Sequence, residues 1–194
     1  MTKQDLLDEL KAERGIVITA LNFSYIVASR AWESQFQTYT LSEGVIDLEM
    51  DSSSIRYVIP RPADLIPLYT APDVLEQACF NLVRVTLRNA VTQHYEKIQS
   101  FCLGDSIKQP KWELASWRQC ARLARNSMSH DFILNFWDQK KKQLRSDVTF
   151  TFPSGNTIEI KNSQHGQAIT GDNMPLNSII ELLDVMKDFV EKEL

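Results

Sequence analysis

The sequence predicts a mainly α-helical fold with one β-hairpin near residues 147–161. Apolar residues recur at steps of three and four along most of the chain, prolines stand where helices would begin, and strict alternation is confined to the late segment. With 194 residues, of which 43% are hydrophobic, the chain can bury one substantial core. We therefore expect one domain over residues 1–194.

Two helices are predicted before residue 39. Thr2 and Asp5 form a capping-box pattern that begins the first helix, and Gly15 is expected to break or kink it. A longer helix with a continuous apolar stripe is predicted over residues 16–38. This second helix is expected to lie in the core.

The periodicity fades over residues 39–70. Three prolines and the serines at 52–54 indicate a long connection there, with a short extended piece at residues 55–59. Pro72 stands at a first helical position, so the next helix is predicted to run from there to about Ser100.

A further helix is predicted to begin at Pro110, after a turn at Gly104. The helical pattern is expected to continue over residues 131–144. The apolar residues of the Pro110 helix form one packing seam, made of Leu114, Trp117, Ala121, Ala124 and Met128.

The last part of the chain combines the hairpin with a final helix. Residues 147–152 and 157–161 alternate around a turn at residues 153–156, which predicts the β-hairpin. We interpret the hairpin as an insertion into a helical domain. An amphipathic helix is predicted from about Pro175, with Ile179, Leu182, Leu183, Met186, Phe189 and Val190 on its apolar side.

Composition favours a soluble cytoplasmic protein without a membrane segment. The longest apolar run, residues 15–28, is interrupted by polar residues and is too short to span a bilayer, and no basic segment precedes it. Cys79, Cys102 and Cys120 are widely spaced and form no paired motif. We expect them to be reduced and mostly buried.

The charge of the chain is unevenly distributed. A net charge of −4 argues against a protein that coats nucleic acid through its overall charge. Residues 108–145, however, contain nine Lys or Arg and three acidic residues, a local balance of +6, and the remainder carries −10. This segment indicates either a site for one anion or a solvated helix face.

Arg118, Arg122 and Arg125 follow one another at steps of four and three, so they line up on one helix face beside Ser129. Aligned arginines repel one another unless an anion lies between them. Two interpretations stay open: this face binds RNA phosphates, or its arginines pair with acidic residues of the same fold or of a second protomer.

A permanent cation, an amide and a titratable imidazole lie within six positions in the segment Arg-Asn-Ser-Met-Ser-His-Asp-Phe, residues 125–132. Arginine binds a phosphate through a planar fork, and histidine exchanges a proton near neutral pH. Residues five apart on an ideal helix point about 140° away from one another. Arg125 and His130 therefore share a site only if the chain bends, which Ser127 and Ser129 permit.

This segment resembles the Arg-x4-6-His signature of HEPN proteins, which are small helical domains of toxin–antitoxin, abortive-infection and RNA-processing systems. The resemblance implies an up-and-down bundle of about four helices that dimerises across the motif helices. It also implies metal-independent endoribonuclease activity, with His130 as base or acid, Arg125 stabilising the phosphate and Asn126 orienting either residue. Each protomer supplies one such histidine, so the two proton transfers require a homodimer with a composite site.

A second segment also fits the signature, with Arg88, Asn89 and His94. We favour Arg125 to His130, because an aromatic residue follows two positions after the histidine and because its surroundings are basic. That aromatic residue is Phe132, whereas HEPN proteins paired with a nucleotidyltransferase antitoxin commonly have a tyrosine there. Phe132 lacks the hydroxyl that would accept a nucleotide.

No metal site or cofactor is expected. His94 and His165 have no companions at metal-ligand spacing, and no glycine-rich phosphate loop occurs. The leading hypothesis is an endoribonuclease of the toxin or phage-defence type that leaves a 2′,3′-cyclic phosphate. The alternative is a noncatalytic HEPN-like interaction or RNA-binding module. The expected partners are RNA, a second copy of the chain and an antitoxin protein.

Overall fold

The computed structural model describes residues 1–28, 44–50, 53–59, 72–138 and 140–194. The chain divides into two compact units, the first formed by residues 1–18 and 85–194 and the second by residues 19–84. Helices dominate the described residues, so the mainly α prediction is confirmed. The HEPN-like up-and-down arrangement and the single domain over residues 1–194 stay predictions.

The first helix, α1, runs from Lys3 to Ala28 without a break. The predicted capping box is confirmed, because the Thr2 and Asp5 side chains accept hydrogen bonds from each other's backbone N–H groups. The predicted break at Gly15 is wrong. Glycine inside a helix costs only about 1 kcal/mol, and several apolar residues on both sides of it are buried: Leu6, Leu7, Leu10, Val17 and Ala20. Ile16 and Phe23, which the sequence places in the core stripe, are instead 54% and 53% exposed. The part of the predicted second helix after residue 28 lies outside the described residues.

The second unit contains two antiparallel strands, β1 (Gly44–Met50) and β2 (Ser53–Ile59), paired from Gly44 with Ile59 to Met50 with Ser53. The predicted extended piece at residues 55–59 is confirmed within β2. The prediction of a connection without further strands is wrong for these two segments. Apolar and β-branched residues in both segments favour strands despite the neighbouring serines.

Helix α2 runs from Pro72 to Cys102, so its predicted start is confirmed. A turn at Gly104 follows, where φ is +81°, a conformation that favours glycine. The predicted single helix from Pro110 is wrong: the chain forms α3 (Lys108–Leu114) and α4 (Arg118–Ser129).

The break between α3 and α4 allows two tryptophans to enter the core. The ring of Trp112 packs edge-on against Tyr95 at 5.0 Å and against Trp117 at 5.4 Å, and Trp117 packs against Phe189 at 5.4 Å, between ring centroids. Leu114, which the sequence places in the seam, is 84% exposed. A straight helix would not place both tryptophan rings in this cluster.

The prediction of helix over residues 131–144 is also wrong. Asp131 and Phe132 have φ angles of 55° and 64°, and the chain then forms a short antiparallel pair, β3 (Trp137–Asp138) and β4 (Gln143–Leu144). The physical reason is alternating burial, because Phe132, Leu134 and Phe136 enter the core. The late hairpin is confirmed as β5 (Val148–Thr151) and β6 (Thr157–Ile160).

The final helix, α5, runs from Leu176 to Glu193, with Pro175 at its N-cap as predicted. All six residues predicted for its apolar side are buried. The three cysteines are free and buried, as expected. Of the described helices, none is long and apolar enough to cross a membrane.

Candidate functional site

The guanidinium of Arg125 on α4 is held from two sides. Its Nη1 donates a hydrogen bond to Oδ1 of Asn126 at 3.1 Å, and its Nη2 forms an ion pair with the Glu96 carboxylate on α2. The side chains of Arg125 and Glu96 are 36% and 44% exposed. Water therefore screens the pair, and its main effect is to orient the guanidinium rather than to stabilise the fold.

His130 is the first residue after α4. Its backbone N–H donates to the carbonyls of Asn126 at 3.2 Å and Ser127 at 3.1 Å, and its φ and ψ of −111° and 54° are not helical. Its side chain is exposed, and the imidazole makes no hydrogen bond to any residue that the structure describes. The structure gives no direct contact between His130 and Arg125.

Ser129 and Phe132, which lie before and after His130 on the chain, both make hydrogen bonds within the fold. The Ser129 hydroxyl donates to the Arg125 carbonyl at 2.9 Å, which is a helix-internal bond. Phe132 is buried, and its carbonyl accepts a hydrogen bond from the Ile169 N–H at 2.8 Å. The turn through Asp131 thus anchors Phe132 in the core and leaves His130 at the surface.

The structure places the second candidate motif differently. His94 is fully buried within α2, and its Nδ1 lies 2.9 Å from the Ala90 carbonyl. Its Nε2 is buried and has no hydrogen-bond partner in the described part of the chain. Burial lowers the pKa of His94 to about 4, so the ring is neutral at physiological pH. Arg88 is half-buried and Asn89 is exposed, but the histidine cannot reach a substrate.

The three aligned arginines occupy different environments. Arg118 donates to the Glu113 carbonyl at 3.3 Å and lies over the Trp112 ring at 5.4 Å. Arg125 forms an ion pair with Glu96. For this arginine, the interpretation that it pairs with an acidic residue of the same fold is therefore confirmed. Arg122 makes no hydrogen bond or ion pair with any described residue.

Arg122 lines a cavity of about 480 Å³ beside the β3–β4 pair. Arg145 and Lys141 also line it, whereas Arg125 and His130 do not. Four amide side chains, two carboxylates and one hydroxyl complete its polar lining: Gln119, Asn126, Asn135, Gln143, Asp138, Asp147 and Ser146. Asn126 therefore contacts both this cavity and Arg125.

Burial lowers the pKa of Arg122, and the nearby positive charges of Arg145 and Arg118 lower it further, whereas Tyr95 and Asp138 raise it. The net direction means that burial and the like charges outweigh the nearby negative groups. Sequence reasoning identified Arg122 but missed the cavity. Arg145 reaches it only because α4 ends at Ser129 and the β3–β4 pair follows, and no local sequence signal specified that end.

No cluster of three or more His, Cys, Asp or Glu side chains within the described ranges could hold a metal ion. His165, the third histidine, accepts a hydrogen bond at Nδ1 from the Phe136 N–H at 3.2 Å. It therefore supports the segment that enters the core rather than joining a ligand set.

Fold and site together define a mainly helical protein with small antiparallel hairpins, an accessible motif histidine and a basic cavity. Comparisons with protein-family models, with curated proteins and with solved structures found no match to this chain.

Proposed function

We propose that this protein is a metal-independent endoribonuclease of the toxin or phage-defence type, with a HEPN-like site formed by Arg125, Asn126 and His130. The proposal rests on the exposure and the hydrogen bonding of the two motif side chains. The His130 imidazole is exposed and unbonded, and the Arg125 guanidinium is held in place by Asn126 and Glu96. Such a histidine is available for proton transfer, and such an arginine is oriented to bind a phosphate.

In the proposed reaction, His130 of one protomer removes the proton of an RNA 2′-hydroxyl. The 2′-oxygen attacks the adjacent phosphorus, and Arg125 stabilises the negative charge of the phosphorane. The bond from phosphorus to the 5′-oxygen then breaks, and His130 of the second protomer protonates that oxygen. The products are a 2′,3′-cyclic phosphate and a 5′-hydroxyl end, and no metal or redox partner is needed.

The homodimer is part of the proposal, because the described motif supplies one exposed histidine and the reaction needs a base and an acid. Glu96 and Asn126 act as positioning residues, since each contacts Arg125. An antitoxin protein that covers the site is the expected partner. Modification of Phe132 is not proposed, because that side chain is buried and has no hydroxyl.

A cytoplasmic location belongs to the same proposal. It is supported by the three free cysteines, which are all buried. Burial raises the pKa of Cys102 to about 11 and that of Cys120 to about 12, so neither thiol is reactive.

The test is incubation of single-stranded RNA with the purified full chain in excess EDTA, followed by analysis of the RNA ends. We expect fragments with 2′,3′-cyclic phosphates from the wild-type protein and none from His130→Ala. His165→Asn removes an exposed histidine outside the site but keeps an acceptor for the Phe136 N–H, and it is expected to cleave normally. Cleavage by His130→Ala at the wild-type rate would contradict the site assignment.

A second candidate function is a noncatalytic HEPN-like module that binds RNA or an acidic partner. The unpaired Arg122 and the basic lining of its cavity favour this alternative, since they bind an anion without supplying a proton-transfer group. RNA binding by the wild-type protein without any cleavage products would support the alternative over the nuclease.

A further inference from the structure

We propose that the Arg122 cavity is a binding site for a terminal phosphate monoester on a ligand of about nucleotide size. The site lies between α4 and the β3–β4 pair and differs from the Arg125–His130 site, although Asn126 contacts both. The inference goes beyond the proposed nuclease function, because it concerns binding and holds whether or not the protein cleaves RNA.

Arg122 is the first cation of the proposed site. Its side chain is half-buried and lines the cavity, yet none of the described residues accepts a hydrogen bond from it. A partly desolvated guanidinium without a partner is unfavourable, and five N–H donors in a planar fork match phosphate oxygens. An anion in the cavity would supply the missing acceptors.

Neither carboxylate of the cavity accepts a hydrogen bond from Arg122, although the charge of Asp138 acts on it, and both carboxylates are bonded to other groups. Asp138 accepts hydrogen bonds from the backbone N–H groups of Lys140 at 3.0 Å and Lys141 at 3.1 Å, and it pairs with Nε of Arg145 at 3.3 Å. Oδ1 of Asp147 accepts a bond from the Asn162 N–H at 2.7 Å. Both carboxylates are therefore committed to holding the loops of the cavity.

Arg145 supplies a second cation that is only partly satisfied. Its Nε faces Asp138, and its two Nη groups have no partner among the residues that the structure describes. Its charge repels that of Arg122. Two neighbouring guanidinium groups suit a doubly charged terminal phosphate better than a singly charged phosphodiester, because each group binds oxygens and the second charge offsets their repulsion.

The remaining lining indicates what carries the phosphate. A volume of about 480 Å³ lies in the ordinary range of small-ligand sites and exceeds what a bare phosphate needs. Amide side chains of Gln119, Asn135 and Gln143 offer donors and acceptors together. That lining suits the polar edges of a base and a sugar. A free nucleotide and the phosphorylated end of an RNA strand both present this chemistry.

Binding to the full chain should be measured by titration calorimetry with four probes. These are adenosine 5′-monophosphate, adenosine, and one short 2′-O-methylated RNA oligonucleotide with either a 5′-phosphate or a 5′-hydroxyl, all in EDTA. The methylated oligonucleotide has no free 2′-hydroxyl, so the proposed nuclease reaction cannot consume it during the titration. We expect the phosphorylated member of at least one pair to bind at least tenfold more tightly than its partner, as the loss of a charged hydrogen bond predicts. A preference within the nucleoside pair identifies a free nucleotide as the ligand class, and a preference confined to the RNA pair identifies a strand end.

Arg122→Gln should weaken binding of the preferred probe about tenfold to a hundredfold. Lys140→Gln is the matched control, since it removes one positive charge from the segment between β3 and β4, beside the cavity, at a residue that does not line it. If Arg122→Gln does not fold, Arg145→Gln and competition by inorganic phosphate on the wild-type protein provide the same test. Equal binding of phosphorylated and unphosphorylated probes, no binding of any probe, or wild-type affinity in Arg122→Gln would overturn the proposal.

Discussion

Two segments of this chain share an Arg-Asn pair and a histidine five or six residues after the arginine, but they differ in what surrounds the histidine. His94 lies inside the long helix α2, with buried Val91 three residues before it and buried Ile98 four residues after it. His130 lies immediately after α4, where the chain has left the helix. Inside a helix, the spacing of a histidine from the apolar residues decides whether its side chain faces the core. A histidine after the last helical residue is not subject to this periodicity. Two similar sequence segments therefore place one histidine in the core and the other at the surface, where it is a candidate site residue.

The two segments are also connected. Glu96 lies two residues after His94 on α2, and its carboxylate pairs with Arg125 on α4. The segment with the buried histidine thus supplies a positioning group to the segment with the exposed one. Substitutions on either helix therefore test the difference between the two segments.

The largest expected effect is the loss of cleavage when Arg125 is replaced. Arg125→Ala should lower the rate of RNA cleavage by about a hundredfold to a thousandfold, because it removes the cation that we propose stabilises the phosphorane. Arg88→Ala, the equivalent change in the other segment, should leave the rate unchanged. Initial rates on one RNA, with circular dichroism as the check on folding, provide the measurement. An equal loss of cleavage activity in both variants would contradict the assignment of the site to the Arg125 segment alone.

The next effect concerns the stability of the fold and its pH dependence. Burial lowers the pKa of His94 from 6.5 to about 4, against the hydrogen bond to the Ala90 backbone, which raises it. The charges of Lys97, which lowers it, and Asp184, which raises it, have smaller effects. In the unfolded chain the histidine binds a proton below its ordinary pKa, whereas in the folded protein it stays neutral until about pH 4. The folded state therefore loses stability as the pH falls through this window, by about 2 kcal/mol between about pH 7.5 and about pH 5.

His94→Gln should reduce this pH dependence of the free energy of unfolding, because glutamine does not titrate. Asn89→Gln, which changes an exposed residue of the same helix and removes no titratable group, should leave the dependence as in the wild type. Urea unfolding at the two pH values measures both variants. An unchanged slope in His94→Gln would mean that His94 is not a buried neutral group.

The smallest effect is expected at the connection between the segments. Glu96→Gln keeps the size of the side chain but removes the charge that holds the Arg125 guanidinium. Because both side chains are partly exposed, the free energy of unfolding should change by less than about 1 kcal/mol. Cleavage should fall several-fold, since the arginine is less well oriented. A large loss of stability with unchanged cleavage would show that the pair serves the fold and not the site.

Features that depend on neighbouring residues in the sequence were predictable. The capping box of Thr2 and Asp5, the helix start at Pro72 and the hairpin turn at Gly155 are set by local hydrogen bonding and backbone preference. The helix through Gly15 was not predictable in this way, because burial of the apolar residues around it outweighs the local preference of glycine.

The sequence proposed candidate site residues but did not predict how the fold arranges them. The sequence identified Arg125, His130 and Arg122, because their chemistry is visible in the residue types. The end of α4 depends on burial of Phe132, Leu134 and Phe136, which is a property of the folded core. The Glu96–Arg125 pair joins residues on two different helices, and no local pattern marks it.

The most direct test of this account compares RNA cleavage by His130→Gln and His94→Gln in excess EDTA, with rates normalised to folded protein. The account predicts no cleavage by His130→Gln and cleavage close to the wild-type rate by His94→Gln. The reverse pattern, with activity lost in His94→Gln and kept in His130→Gln, would contradict the assignment of the exposed histidine to the chemistry.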